Sequence, residues 1–151
     1  MKLLARILLA VLCLGLVPVL PAAEPATERQ VFKNPGAETM GLPFSDAVLA
    51  GNTLYLSGNG GIDLATMTVP VDPKEEARLM MENIRATLAQ ADMGFDDLVS
   101  VTVYCSDLSL YGAFNEVYRT YFSGDFPARA FIGSGPLLFG MRFEMQAIAV
   151  R

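Results

Sequence analysis

Phe126-Pro127-Ala128-Arg129 and, fifteen residues after that arginine, Glu144 within Arg142-Phe143-Glu144-Met145-Gln146-Ala147-Ile148-Ala149-Val150 are the stretches on which the reading of this chain turns. Ala128 to Gly133 reads as one strand and Met141 to Val150 as the last, with a loop carrying Gly135-Pro136 between them. In the last strand Phe143, Met145, Ala147 and Ala149 share one face, and Arg142, Glu144 and Gln146 take the other. Arg129 stands among apolar neighbours, where an arginine is seldom placed unless an anion meets it. Its planar fork can hold a carboxylate through two parallel hydrogen bonds. A glutamate beside it can move a proton or orient a water. The same residues allow a plainer account: an internal ion pair of Arg129 with Glu144 or another acid, locking two strands, or a Glu144 that is merely solvated. The residue types alone leave that choice open.

Working outward, Val99, Val101, Val103 and Cys105 alternate with Ser100, Thr102 and Tyr104, which predicts a strand with one face inward. A helix from about Ser109 to Phe122 follows, with Leu110, Phe114, Val117 and Tyr121 inward and Ser123-Gly124 ending it. An earlier helix begins at Asp72-Pro73-Lys74-Glu75, where Asp72 caps, Pro73 suits the first turn and Glu75 completes a capping box. Ala77, Met80, Met81, Ile84, Leu88 and Ala91 give it one apolar face, and Gly94 supplies a stop. Ala47–Ala50 and Thr53–Ser57 flank Gly51-Asn52 as a tight hairpin, and Ser57-Gly58-Asn59-Gly60-Gly61 opens a flexible loop reaching about Val71. Residues 34–45 read as loop, and a first strand enters at Val31-Phe32. The order β-β-β-α-β-α-β-β predicts an α+β sandwich, one sheet with both helices on one face. Val48, Leu54, Leu56 and Val103 cannot all lie beneath a single helical layer, so the open sheet face predicts a homo-oligomer.

The first two dozen residues read differently. Lys2 and Arg6 precede an apolar run, Ile7 to Leu20, broken only by Gly15 and Pro18, and small residues follow at Ala22, Ala23 and Ala26. This is the layout of a signal peptide over residues 1–23, cleaved between 22 and 26, which leaves a single domain over 24–151 and a periplasmic or secreted protein. A retained anchor is the alternative, although the run is short of the roughly 20 apolar residues a membrane span needs. Without Lys2 and Arg6 the chain holds nine basic residues against sixteen acidic ones, a net charge of −7. An acidic domain with no basic tract is a poor partner for nucleic acid. There is no histidine, and Cys105 alone remains after the leader, so Cys/His and Ser/His triads and an intrachain disulfide are excluded. Cys105, in an apolar strand, reads as a packing residue.

The chain also resembles the Rid (YjgF-type) family of reactive-intermediate deaminases. The resemblance rests on Pro43-Phe44-Ser45-Asp46-Ala47, on Gly51-Asn52-Thr53-Leu54-Tyr55-Leu56-Ser57-Gly58, on Asp107-Leu108 to Tyr118, on Phe126-Pro127-Ala128-Arg129, and on Glu144 to Val150. It implies a homotrimer of chorismate-mutase-like α+β subunits, one mixed sheet with two helices on one face, with clefts at the subunit interfaces. It implies that Arg129 grips a substrate carboxylate and that Glu144 handles the proton and positions the hydrolytic water. Ser57 and Gly58 would form a turn lining the cleft, Asn115 would stand at its edge, and the backbone around Phe131 would supply an N–H. Phe44 would also face substrate, where many members carry a tyrosine. Asn59 replaces a frequent glutamine, Gly133-Ser134-Gly135-Pro136 is looser than the usual segment, and the bulk of Phe131 would narrow the pocket. The implied reaction is hydrolysis of a small 2-imino acid, reached from its enamine, to a 2-keto acid and ammonia, with no metal or organic cofactor. The implied partners are that small molecule and other copies of the chain, with no nucleic acid and no membrane once the leader is gone. The alternative is a non-catalytic protein that holds small carboxylates or unfolded clients in the same clefts.

Overall fold

The computed structural model describes residues 28–34 and 41–151; the expected signal peptide and its cleavage site lie outside them. Six strands form one sheet: β1 (Arg29–Phe32), β2 (Ala47–Ala50), β3 (Thr53–Gly60), β4 (Leu98–Cys105), β5 (Ala128–Gly133) and β6 (Phe143–Val150), in the order β1-β2-β3-β6-β4-β5. Neighbours are antiparallel except β4 and β5, which run parallel and are bridged by helix α2 (Tyr111–Tyr118). Helix α1 (Pro73–Ala89) connects β3 to β4.

β2 and β3 turn at Gly51, whose φ of +62° is open to glycine at little cost. Residues 57–60 were expected to leave the sheet as a loop, but β3 continues to Gly60. A bulge between Leu56 and Asn59 re-registers it on β6, with Asn59 opposite Met145 and Gly60 opposite Glu144. The glycines make this possible. A Cβ on Gly60 would lie 2.1 Å from Met141 Sδ, and one on Gly58 would lie 2.0 Å from Glu144 Oε1.

In α1, Asp72 caps by accepting from the Lys74 N–H at 2.9 Å. Glu75 does not close the expected capping box, because its carboxylate turns along the helix to Arg78 at 3.3 Å. Nor is Gly94 the stop. Asp92 takes the left-handed position, with φ of 54°, while its N–H donates to Ala89 O and that of Met93 to Leu88 O. That pair of bonds is the Schellman closure, and aspartate is among the few residues that tolerate it. The second helical stretch runs as a 3-10 turn at Leu108–Leu110, α2, and another turn at Arg119–Tyr121, which matches the expected span to within a residue.

Both helices cover one face. Leu54, Leu56 and Val103 lie beneath them, fully or almost fully buried with Met80, Ile84, Leu88 and Phe114. Val48 does not. It belongs to a row across the helix-free face that the register traces from strand to strand: Val31, Val48, Tyr55, Ile148, Ser100 and Ala128. Val31 and Tyr55 in that row are 46% and 51% exposed. Among the described residues no helix is long and apolar enough to cross a membrane.

Candidate active site

The register of β5 fixes where Arg129 points. It lies opposite Val101, and Phe131 opposite Val103, so both follow those buried valines toward the helices. There Arg129 meets Tyr111, Asn115 and Tyr118, which share a stripe of α2 at spacings of four and three. Its Nη2 donates to Asn115 Oδ1 at 2.8 Å. Its guanidinium carbon stands 4.5 Å from the ring centre of Tyr118, with the rings of Tyr111, Phe114 and Phe131 at 5.9, 5.9 and 5.7 Å. An aromatic surround of this kind holds a cation by its ring faces without neutralising it.

Two polar atoms in this cluster are buried without a hydrogen-bond partner, Arg129 Nη1 and Tyr118 Oη. Burial pushes the Tyr118 hydroxyl up to about 12, against the pull of the neighbouring Arg129 charge. The Tyr111 hydroxyl is held below its ordinary value by its hydrogen bond with Asn115 first and by Arg129 second. A cavity of about 350 Å³ opens between this cluster and the Phe126-Pro127 segment. The ring of Phe131, expected to narrow the cleft between subunits, packs edge-on against Tyr111 at 4.9 Å and Phe114 at 5.3 Å and does not line this cavity of the single chain.

Glu144 sits in β6, one residue out of step with the buried Phe143 and Met145, and so faces the helix-free side. Its carboxylate rests where a side chain on residue 58 would be, so Gly58 serves a strand contact with the acid rather than a turn. Ser57 also lies in the strand, its Oγ donating to Asp46 O at 3.1 Å. Glu144, Gly58, Ser57 and the half-exposed Phe44 line one cavity of about 620 Å³.

The predicted residues thus fall into two groups. Arg129 and Asn115 belong to the helical side, and Phe44, Ser57, Gly58 and Glu144 to the other; β4 separates the strands that carry the arginine and the acid. An ion pair between Arg129 and Glu144 within one chain is ruled out by this arrangement. Among the described residues neither makes a salt bridge.

Arg142 departs from the expected pattern as well. It precedes the first residue of β6, so strand alternation does not set its direction, and it turns toward α1. There it pairs with Glu76, a fully buried carboxylate that also accepts from the Phe143 N–H at 3.0 Å. The same guanidinium donates to the carbonyls of Val71, at 2.9 Å, and Pro70. This clamp fixes the entry to β6 two residues before Glu144. Cys105 is buried, with Sγ 3.0 Å from Asp107 O, and burial raises its thiol; it packs, as expected. Tyr111 and Tyr118 escaped the sequence reading, although their spacing from Asn115 on one helical stripe was a readable signal.

A sequence model of the family described as endoribonuclease L-PSP matches residues 37–151. The 2-iminobutanoate/2-iminopropanoate deaminase of Mus musculus is 37% identical over 124 residues, covering 82% of this chain and 92% of its own. The RutC family protein UK114 of Drosophila melanogaster is 38% identical over 123 residues, 81% of this chain and 89% of its own. Among solved structures, the Rid-family protein YyfA from Yersinia pestis superposes with a TM-score of 0.76 at 29% identity, covering 82% of this chain and all of that one. Escherichia coli TdcF with bound serine gives 0.70 at 30% identity, over 73% of this chain and 89% of that one. With the sheet order, the match over residues 37–151 and these relatives in agreement, the chain belongs to the Rid (YjgF, endoribonuclease L-PSP) family.

Proposed function

We propose that the protein hydrolyses small 2-imino acids, reached from their enamine tautomers, to 2-keto acids and ammonia, in clefts between the subunits of a homotrimer. The observation that carries this is Arg129: a cation among aromatic rings, with no acid in salt-bridge range among the described residues and a buried Nη1–H without an acceptor. A bidentate carboxylate is the group that answers such a donor set. Glu144 supplies the second requirement. Water attacks once the imine nitrogen carries a proton. Glu144 takes one proton from water as the oxygen bonds to the imine carbon and passes it to nitrogen. It then takes the remaining hydroxyl proton as the C–N bond breaks, leaving ammonia and a C=O, and sheds that proton to solvent. Arginine and acid lie on opposite faces of one sheet, so a substrate that touches both bridges two copies, Arg129 from one and Glu144 from its neighbour. The apolar row on the helix-free face supports that assembly. The deaminase names of relatives and the serine held by TdcF agree with a small α-substituted acid as ligand. The description endoribonuclease fits less well, because the chain is acidic, with a formal charge of −5, and has no histidine.

The test is ammonia and keto-acid release from 2-iminopropanoate and 2-iminobutanoate made in situ by an amino-acid oxidase, with semicarbazide competing for imine. Wild type should accelerate release. Arg129→Ala should lose the acceleration, and Glu144→Gln should lose about 10²–10⁴-fold in turnover while still binding a 2-keto acid. A folded protein that accelerates nothing would overturn the reading and favour a carboxylate-binding role. We also propose export, on the basic-then-apolar opening of the chain; N-terminal sequencing of the protein from its own cells, read for cleavage between residues 22 and 26, checks it.

A further inference from the structure

The cavity that holds Glu144 is larger than a small imino acid fills. At about 620 Å³ it lies in the range of clefts that take drug-sized ligands, ~300–1,000 Å³. Away from Glu144 its wall is largely hydrocarbon: Leu64 and Met67 between β3 and α1, Leu79 and Ala86 of α1, and Leu138 and Phe139 before β6. Polar side chains on the wall are already engaged. Asn83 donates to the carbonyls of Gly60 and Ile62, Asp63 accepts from the Ala65 and Thr66 N–H groups, and Asp46 from that of Asn34. Both bonds to Asp63 go to its Oδ1, so what remains to meet a ligand is the carboxylates of Glu144 and Asp63 and, elsewhere, mainly apolar surface.

The backbone adds an independent observation. Among the described residues only Met67, Asp92 and Phe139 combine a side chain with a left-handed backbone, at φ of 54°, 54° and 58°. Asp92 closes a helix. The other two sit in short turns, closed by Asp63 N–H donating to Thr68 O at 2.9 Å and Met141 N–H to Leu138 O at 3.1 Å, and glycine would hold either conformation without strain. Both instead carry large apolar groups into the same cavity, where Met67 is 41% exposed and Phe139 62%. Apolar side chains kept at a cost in backbone strain and in hydration mark a surface made to meet another apolar group. Glu144 shares that surface, so the group is attached to the reacting molecule.

We propose, resting on the deaminase reading, that this cavity is a side-chain chamber and that the preferred substrates are 2-imino acids with long or aromatic apolar side chains, gripped by Met67 and Phe139. The experiment compares kcat/KM for imines generated from leucine, methionine and phenylalanine with that from alanine, in wild type and in Met67→Gly and Phe139→Gly. Glycine relieves the strain, so the variants should fold at least as well. The expected result is a preference of about tenfold or more for the bulky imines, collapsing toward parity in the glycine variants with turnover of 2-iminopropanoate retained. Equal or faster turnover of 2-iminopropanoate by wild type overturns the chamber and leaves the deaminase reading intact. If no imine is turned over, the deaminase reading falls, and calorimetric binding of 4-methyl-2-oxopentanoate and phenylpyruvate against pyruvate decides the chamber alone. Glycine variants that dissociate, beside a wild type without chain-length preference, would make the wall an interface between copies and overturn the proposal.

Discussion

Arg129 was legible because its type clashes with its neighbours; the groups that surround it were not. Tyr118 looks like a core aromatic and is buried like one, at 4% exposure, yet its hydroxyl has no partner. An unsatisfied buried hydroxyl costs about 1–3 kcal/mol, and removing it can be neutral or stabilising. Tyr118→Phe should therefore leave unfolding stability in urea unchanged or raise it by up to ~1 kcal/mol. It should also weaken binding of a 2-keto acid several-fold if Tyr118 joins Arg129 in holding the carboxylate. A loss of stability greater than that would mean the hydroxyl is bonded in the unliganded protein. Glu144 was legible as a candidate, but its surroundings were not, because the close approach of Gly58 depends on a bulge that strand alternation does not announce.

Among the elements, α1 was readable from its apolar period and its Asp72-Pro73 start, whereas its most consequential side chain was hidden. Glu76 sits in a helical turn that reads as solvated, but it is fully buried by a partner 66 positions away, a pairing that local pattern cannot reveal. Stripping one partner from a buried, hydrogen-bonded ion pair costs about 3–5 kcal/mol, while replacing both by apolar groups of similar volume is often close to neutral. Glu76→Ala should thus lose roughly that amount in chemical denaturation, with a large fall in Tm. Glu76→Met combined with Arg142→Met should lose less than either single change. If Glu76→Ala costs under ~1 kcal/mol, the pair behaves as a surface contact and does not hold the entry to β6. The misplaced helix stop has a similar cause: Gly94 was the obvious candidate, but Asp92 reaches the left-handed position first.

For the whole molecule, the layer arrangement followed from element order alone, and so did the need to cover one sheet face. Which residues occupy that face depended on register, so Leu54, Leu56 and Val103 proved to be core and only Val48 lies outside it. The consequence for the proposed function is that one chain carries Arg129 and Glu144 on opposite faces of its sheet, so that it cannot complete the proposed site alone. In the proposed trimer each cleft takes Arg129 from one subunit and Glu144 from the next. Arg129→Ala and Glu144→Gln homotrimers should each be inactive, yet their mixtures should not be. Unfolding and refolding the two variants together in equal amounts places an intact arginine beside an intact glutamate at one cleft of every mixed ring. Random assembly in a closed three-membered ring then restores about a quarter of the wild-type sites. Recovery near that level, with none in the separately refolded variants, would establish shared sites; no recovery from mixed trimers confirmed by native mass spectrometry would place both residues in the service of one subunit.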